Sequence, residues 1–186
     1  MPLLINAVAE TTEGKTLINN YIQWNDAAHS KPRHILTIFT TLAFHLGSQS
    51  WKENKAFAKL IGPFGSCEEG SPKVGIDSRF TLDERDIVLR KTSWAATTGN
   101  NLEQILRAQH INTVIISGLT LSGVVMATVY RLFELDYSIY VIADNVLDLP
   151  LDQNKAFSKV MLETLFPIMN FGVISLAEAL EAIDEI

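Results

Sequence analysis

"NTVIISGLTLSGVVMATV", residues 112–129, decides how the rest of the chain is read. Its opening, "NTVIISG" (112–118), is nearly continuous in apolar or β-branched residues, as in a strand buried on both faces. Its remainder, "GLTLSGVVMATV" (118–129), turns and leads into a helical pattern over 121–136. Leu121, Val124, Val125, Met126, Val129 and Leu132 leave that helix apolar nearly all round, so it packs deep in the core or in a subunit interface. A corner of this kind holds the nucleophile in many α/β hydrolytic enzymes. Here it offers only Thr120 and Ser122 among apolar side chains.

The same alternation extends in both directions. "PLLINAV" (2–8), "HILTIFTTL" (34–42) and "SIYVIAD" (138–144) read as strands, with weaker strands at "DIVLRK" (86–91) and "FGVIS" (171–175). Helical patterns fall at 14–28, 99–109, 152–166 and 176–184, and Ser175 stands where an N-cap belongs. Strands alternating with helices predict one α/β domain over 1–186, three-layer α/β/α, with a doubly wound, mainly parallel sheet. In such a sheet, ligands bind beyond the C-terminal strand ends. Those ends lie near Asn6, Thr40 to His45, Lys91, Gly118 to Leu121, and Asp144. The long irregular stretch 44–80 is a candidate functional loop, with Trp51, Phe57 and Phe64 as an apolar wall or lid, or as packing onto the sheet.

Composition narrows the function. The 186 residues are enough for a full core, and a net charge of −6 argues against nucleic acid as a partner. No apolar stretch reaches membrane-spanning length, and the start has neither the basic region nor the apolar run of a secretion signal. Cys67 is the only cysteine, so no intrachain disulfide forms and a cytoplasmic location fits. His29, His34, His45 and His110 lack metal-ligand spacing, and no cofactor is implied.

From about residue 34 to 180 the chain resembles the isochorismatase-like, or cysteine hydrolase, superfamily. Lys91, Ala95-Ala96, Gly99 and Leu102 fall at that family's spacings, followed by Gly118, Ala127-Thr128 and the strand "DYSIYVIAD" ending in Asp144. The resemblance implies a six-stranded sheet, oligomers that are often dimers, and hydrolysis of small amides, N-carbamoyl compounds or the vinyl ether of isochorismate. It also implies a catalytic Asp, Lys and Cys. Lys91 is retained, Asn6 falls where the Asp belongs, and Val124 stands in place of Cys, with "SGVV" resembling a cysteine-lacking branch.

Valine has no lone pair, so thiolate acyl transfer is unavailable. The backbone amides around Val124 would still sit at a helix start facing the ligand space, so Leu119, Thr120, Gly123 and Val124 are candidate binding residues. Lys91 and Asn6 are the candidate catalytic residues. His45 and Asp144 are candidate binding residues, each with a bland alternative as a surface or loop-holding side chain. Three readings stay open: a divergent hydrolase of a small carbonyl or vinyl ether compound, a non-catalytic relative that binds such a molecule, and a structural or interaction protein whose pocket has closed.

Overall fold

Pro2 opens a helix, not a strand. In the computed structural model, which describes residues 1–31, 35–45, 55–65 and 67–185, "PLLINAV" forms α1 (Pro2–Val8). Proline suits the first helical turn, where its missing N–H has no intrahelical acceptor. Ile5 and Val8 are three apart, share one helical face, and are both buried. A short apolar run fits either period, and here the helical one wins.

Helix α2 (Thr12–Ser30) follows after a sharp turn, with the Thr11 side chain accepting from Gly14 N–H at 3.0 Å. The helices cross so closely that a Cβ on Gly14 would lie 1.9 Å from the Val8 carbonyl oxygen. Next come β1 (Ile38–Leu42), α3 (Lys55–Ile61), β2 (Ile87–Lys91) and α4 (Leu102–Ala108). The quoted stretch forms β3 (Thr113–Leu119), a π-helical turn (Leu121–Val125) and α5 (Met126–Phe133). Then follow β4 (Ser138–Leu147), α6 (Leu151–Val160), a second π-helical turn, the short α7 (Phe166–Ile168), β5 (Gly172–Ile174) and α8 (Leu176–Asp184).

The expected α/β class holds, with all strand pairs parallel. The strand count is five among the described residues, against about six expected, because 2–8 is helical. The strands form two ladders, β1–β2 and β3–β4–β5. One face of β3 and β4 packs against α4, the turn and α5 through Ile116, Val141, Leu106, Val125 and Val129. Burying each such side chain contributes roughly 1.5–3 kcal/mol. On the other face, Ile142 packs with Leu176 and Ala179 of α8 and Trp24 of α2. Ser175 caps α8 and forms a reciprocal box with Glu178, as its position suggested. His29 on α2 grips the buried Asp86 ahead of β2 at 2.9 and 3.1 Å. No helix among the described residues is long and apolar enough to cross a membrane.

Candidate active site

Lys91 ends β2, and its side chain is buried. Desolvation disfavours an ammonium, and burial pushes this amine down to about 8. Its Nζ donates to the carbonyl of Trp94. The Trp94 ring in turn lies under the turn that follows β3, since a Cβ on Gly123 would sit 3.6 Å from it. The same Cβ would fall 2.8 Å from the Thr120 hydroxyl, so a side chain there would have to displace that hydroxyl. Phe57 of α3 meets Trp94 edge to face at 6.0 Å; Trp51 and His34 lie outside the described residues, as does the Phe64 side chain.

Two motif segments are tied together directly. Ala96 N–H donates to the Thr128 hydroxyl at 3.0 Å, and that hydroxyl donates to the Val124 carbonyl at 2.7 Å. The loop carrying Lys91 is thereby fixed to the helix carrying Val124. Asn100 steadies the loop's other end, donating to the Arg90 and Ala96 carbonyls and accepting from Leu102 N–H.

Asp148 is a feature that sequence reading missed. It is fully buried just beyond β4, and its carboxylate accepts from Ser122 N–H and Leu149 N–H, both at 2.8 Å. Its own N–H donates to Asn154 Oδ1 at 2.7 Å. One of the amides at the head of the helix therefore already serves an internal anion. The signal was present as an aspartate at the end of a buried strand, in "DNVLDLP", where Asp144 offers the same signal.

The remaining expected residues go elsewhere. Asn6 is not at a strand end: it lies on α1, and its Oδ1 accepts from Arg79 Nη2 at 2.5 Å. Arg79 is held by Asp77, with Nε–Oδ1 at 2.7 Å. Burial raises the Asp77 carboxyl, but its hydrogen bonds to Arg79 outweigh that and hold it below the usual carboxylate range. Helix α1 still reaches the strand ends, since Met1 Sδ accepts from Leu42 N–H at 3.2 Å and Leu42 pairs with Lys91. His45 is exposed beside Glu69, with Nδ1 and Oε2 3.2 Å apart. Asp144 accepts from Leu176 N–H at 2.7 Å and so anchors the start of α8. It also borders a cleft of about 270 Å³ with Thr12, Glu13, Thr16 and Asn20, a lining that does not include Lys91, Thr120 or Val124. Cys67 is buried, which pushes its thiol up, and it packs with Leu42, Phe44 and Val74. Among the described residues no group of three or more His, Cys, Asp or Glu is placed to hold a metal ion.

With a parallel sheet, a buried lysine at a strand end and a glycine-closed turn opening a helix, comparison with known families becomes decisive. The isochorismatase domain model matches residues 3–171. The chain belongs to the isochorismatase family. Solved structures agree on the fold. A cysteine hydrolase from Pseudomonas syringae pv. phaseolicola superposes with a TM-score of 0.80 at 15% identity, covering 94% of this chain and 83% of that one. An isochorismatase family protein from Burkholderia thailandensis gives 0.70 at 21% identity, covering 92% and 84%. N-carbamoylsarcosine amidase from Thermoplasma acidophilum gives 0.70 at 18%, covering 89% and 86%. A comparison with curated proteins gives no match. In this isochorismatase-family chain, then, Lys91 bonds Trp94, whose ring meets the turn at Gly123, while Asn6 accepts from Arg79, His45 lies beside Glu69 and Asp144 accepts from Leu176 N–H.

Proposed function

We propose that this isochorismatase-family chain binds a small carbonyl or vinyl ether compound beside Lys91 and acts on it without cysteine chemistry. The buried Lys91 amine, bonded to the carbonyl of Trp94, whose ring meets the turn after β3, supports this reading. An amine with its pKa near 8 exists in both protonation states close to neutral pH, so it can take a proton from water or anchor a developing oxyanion. Val124, at the position where the resemblance puts the family's cysteine, supplies no nucleophile. Water is the attacking group in this reading, and Lys91 polarises the substrate.

A second reading, a relative that binds without turnover, is favoured by Asp148, which occupies the Ser122 amide, and by Arg79, which engages Asn6. We also propose a homo-oligomer, supported by Tyr130 and Phe133, which leave apolar surface of α5 exposed.

The test is product formation from small amides, carbamoyl compounds and isochorismate by wild type, Lys91→Ala and Val124→Cys, each checked for folding. Wild-type turnover lost in Lys91→Ala establishes the enzymatic reading. A wild type that is silent on the panel yet binds one of these compounds, with binding lost in Lys91→Ala, establishes the second. Wild-type turnover that survives in Lys91→Ala removes Lys91 from the chemistry.

A further inference from the structure

The sheet is interrupted in its middle. The ladders β1–β2 and β3–β4–β5 are separate, and no strand pairs with the second edge of β1 or of β3 among the described residues. The ladder bonds fix which backbone groups lie on those open edges. Ile87 N–H donates to the Thr37 carbonyl, and Ala43 N–H to that of Lys91. Successive residues of a strand send their N–H and C=O to opposite sides, so 37, 39, 41 and 43 face β2 while Ile38, Thr40 and Leu42 face outward. Ser138 N–H donates to the Asn112 carbonyl. Over the unbroken register from 113 to 116, Val114 and Ile116 therefore face β4, and Thr113 and Ile115 face outward.

Helix α1 shows that the two open edges face each other. At its start, Met1 Sδ accepts the outward Leu42 N–H at 3.2 Å. Further along, Ile5 and Val8 pack with Leu119, the last residue of β3. The helix spans about 10 Å, the width of two strand spacings. It thus closes one end of a slot that is one strand wide. The slot has apolar walls. The side chains of Ile38 and Val114 pack on one core cluster. Phe39 and Ile115 alternate with them and lie on the other face. There Ile115 is 40% exposed, against 8% for Ile116. A strand in the middle of a parallel sheet is normally covered on both faces and both edges.

We infer that the slot between β1 and β3 docks an extended peptide segment of about five residues with apolar side chains on both faces, which completes the sheet by strand addition. The main chain of the segment supplies hydrogen bonds to both edges, and the length of β1 sets its extent. This docking stands independently of any activity at Lys91.

The probe is the blocked peptide "TVIIS", the sequence of residues 113–117, added to the whole chain while amide exchange is followed by NMR. Two further versions carry N-methyl groups on the even or on the odd amides. The expected result is slower exchange at Ile38, Thr40, Thr113 and Ile115, by roughly 100-fold at a peptide concentration 100 times its Kd. Phe39, Thr41, Val114 and Ile116, already in ladders, stay unchanged. Both methylated versions lose binding, because each set of amides serves one edge of the slot. Protection of one edge alone, with only one methylated version failing, overturns the proposal in favour of simple edge pairing. Outward amides that are as protected as the ladder amides without peptide overturn it too: the slot is then filled by the chain itself or, where protection grows with protein concentration, by a second copy. Unchanged exchange with the unmodified peptide also overturns it.

Discussion

The turn after β3 and helix α1 both lie at the C-terminal ends of strands, yet they are held in opposite ways. The turn is held from inside. Asp148, fully buried and 26 residues away in sequence, accepts from Ser122 N–H, and Thr128 ties the Lys91 loop to Val124. Helix α1 packs Ile5 and Val8 into the core and has its polar contacts at the rim. Arg79, 73 residues away and partly exposed, reaches Asn6, and the close crossing at Gly14 sets the angle to α2. The turn is thus held by buried hydrogen bonds, whereas α1 is held by the apolar packing of Ile5 and Val8 and by a contact at its rim.

That contrast breaks most readily at Asp148. Asp148→Ala leaves the Ser122 and Leu149 amides without their acceptor, each costing roughly 1–3 kcal/mol, so a loss of about 4 kcal/mol is expected in urea unfolding. Asp148→Asn keeps one acceptor oxygen and recovers part of it. A loss under about 1 kcal/mol for the alanine variant would mean that the turn does not depend on its internal anion.

Gly14→Ala probes the other region. The added Cβ meets a backbone carbonyl that no rotamer change can move, so α1 must shift or leave. Overpacking of this kind costs about 3 kcal/mol. Amide exchange should rise across residues 2–8 and stay unchanged across 121–133; a change shared by both would mean that α1 and the turn form one cooperative unit. Arg79→Ala is the milder version. It strands Asp77 and frees Asn6, and because Arg79 is partly exposed a loss of about 1–2 kcal/mol is expected, less than breaking a fully buried pair.

The same division explains what the sequence revealed. The strand at 112–118 and the helix after it were legible because both periods are long and uninterrupted, and the spacing of Lys91, Gly118 and Thr128 carried the family. The cap at Ser175 was legible because its partner lies three residues on. Residues 2–8 were misread because seven apolar-rich residues suit a strand as well as a helix, and the buried contacts of Ile5 and Val8 that decide between them come from other segments. Asn6 went with that error. Asp77, Arg79 and Asp148 were missed since nothing local marks an aspartate as the partner of an amide or a guanidinium distant in sequence.

Lys91→Met gives the smallest net effect at neutral pH and the most informative pH dependence. The amine sits at about 8 in the folded chain, against an ordinary 10.5. Between those values the unfolded chain holds a proton that the folded chain has released, so wild-type stability rises with pH through that window and is flat below it. At about pH 7 the buried charge costs wild type roughly 3 kcal/mol, partly offset in the comparison by the bond to the Trp94 carbonyl that methionine cannot make. Lys91→Met should therefore be more stable than wild type by about 1 kcal/mol near neutrality, and less stable at about pH 10.5, where the charge penalty is gone and the lost bond remains. Urea unfolding of both proteins across that range reads the crossover. Parallel profiles would mean that the lysine keeps its ordinary pKa in solution. The corner would then lack the desolvation that makes Lys91 useful as a base, and Lys91 would serve only to hold the Trp94 loop.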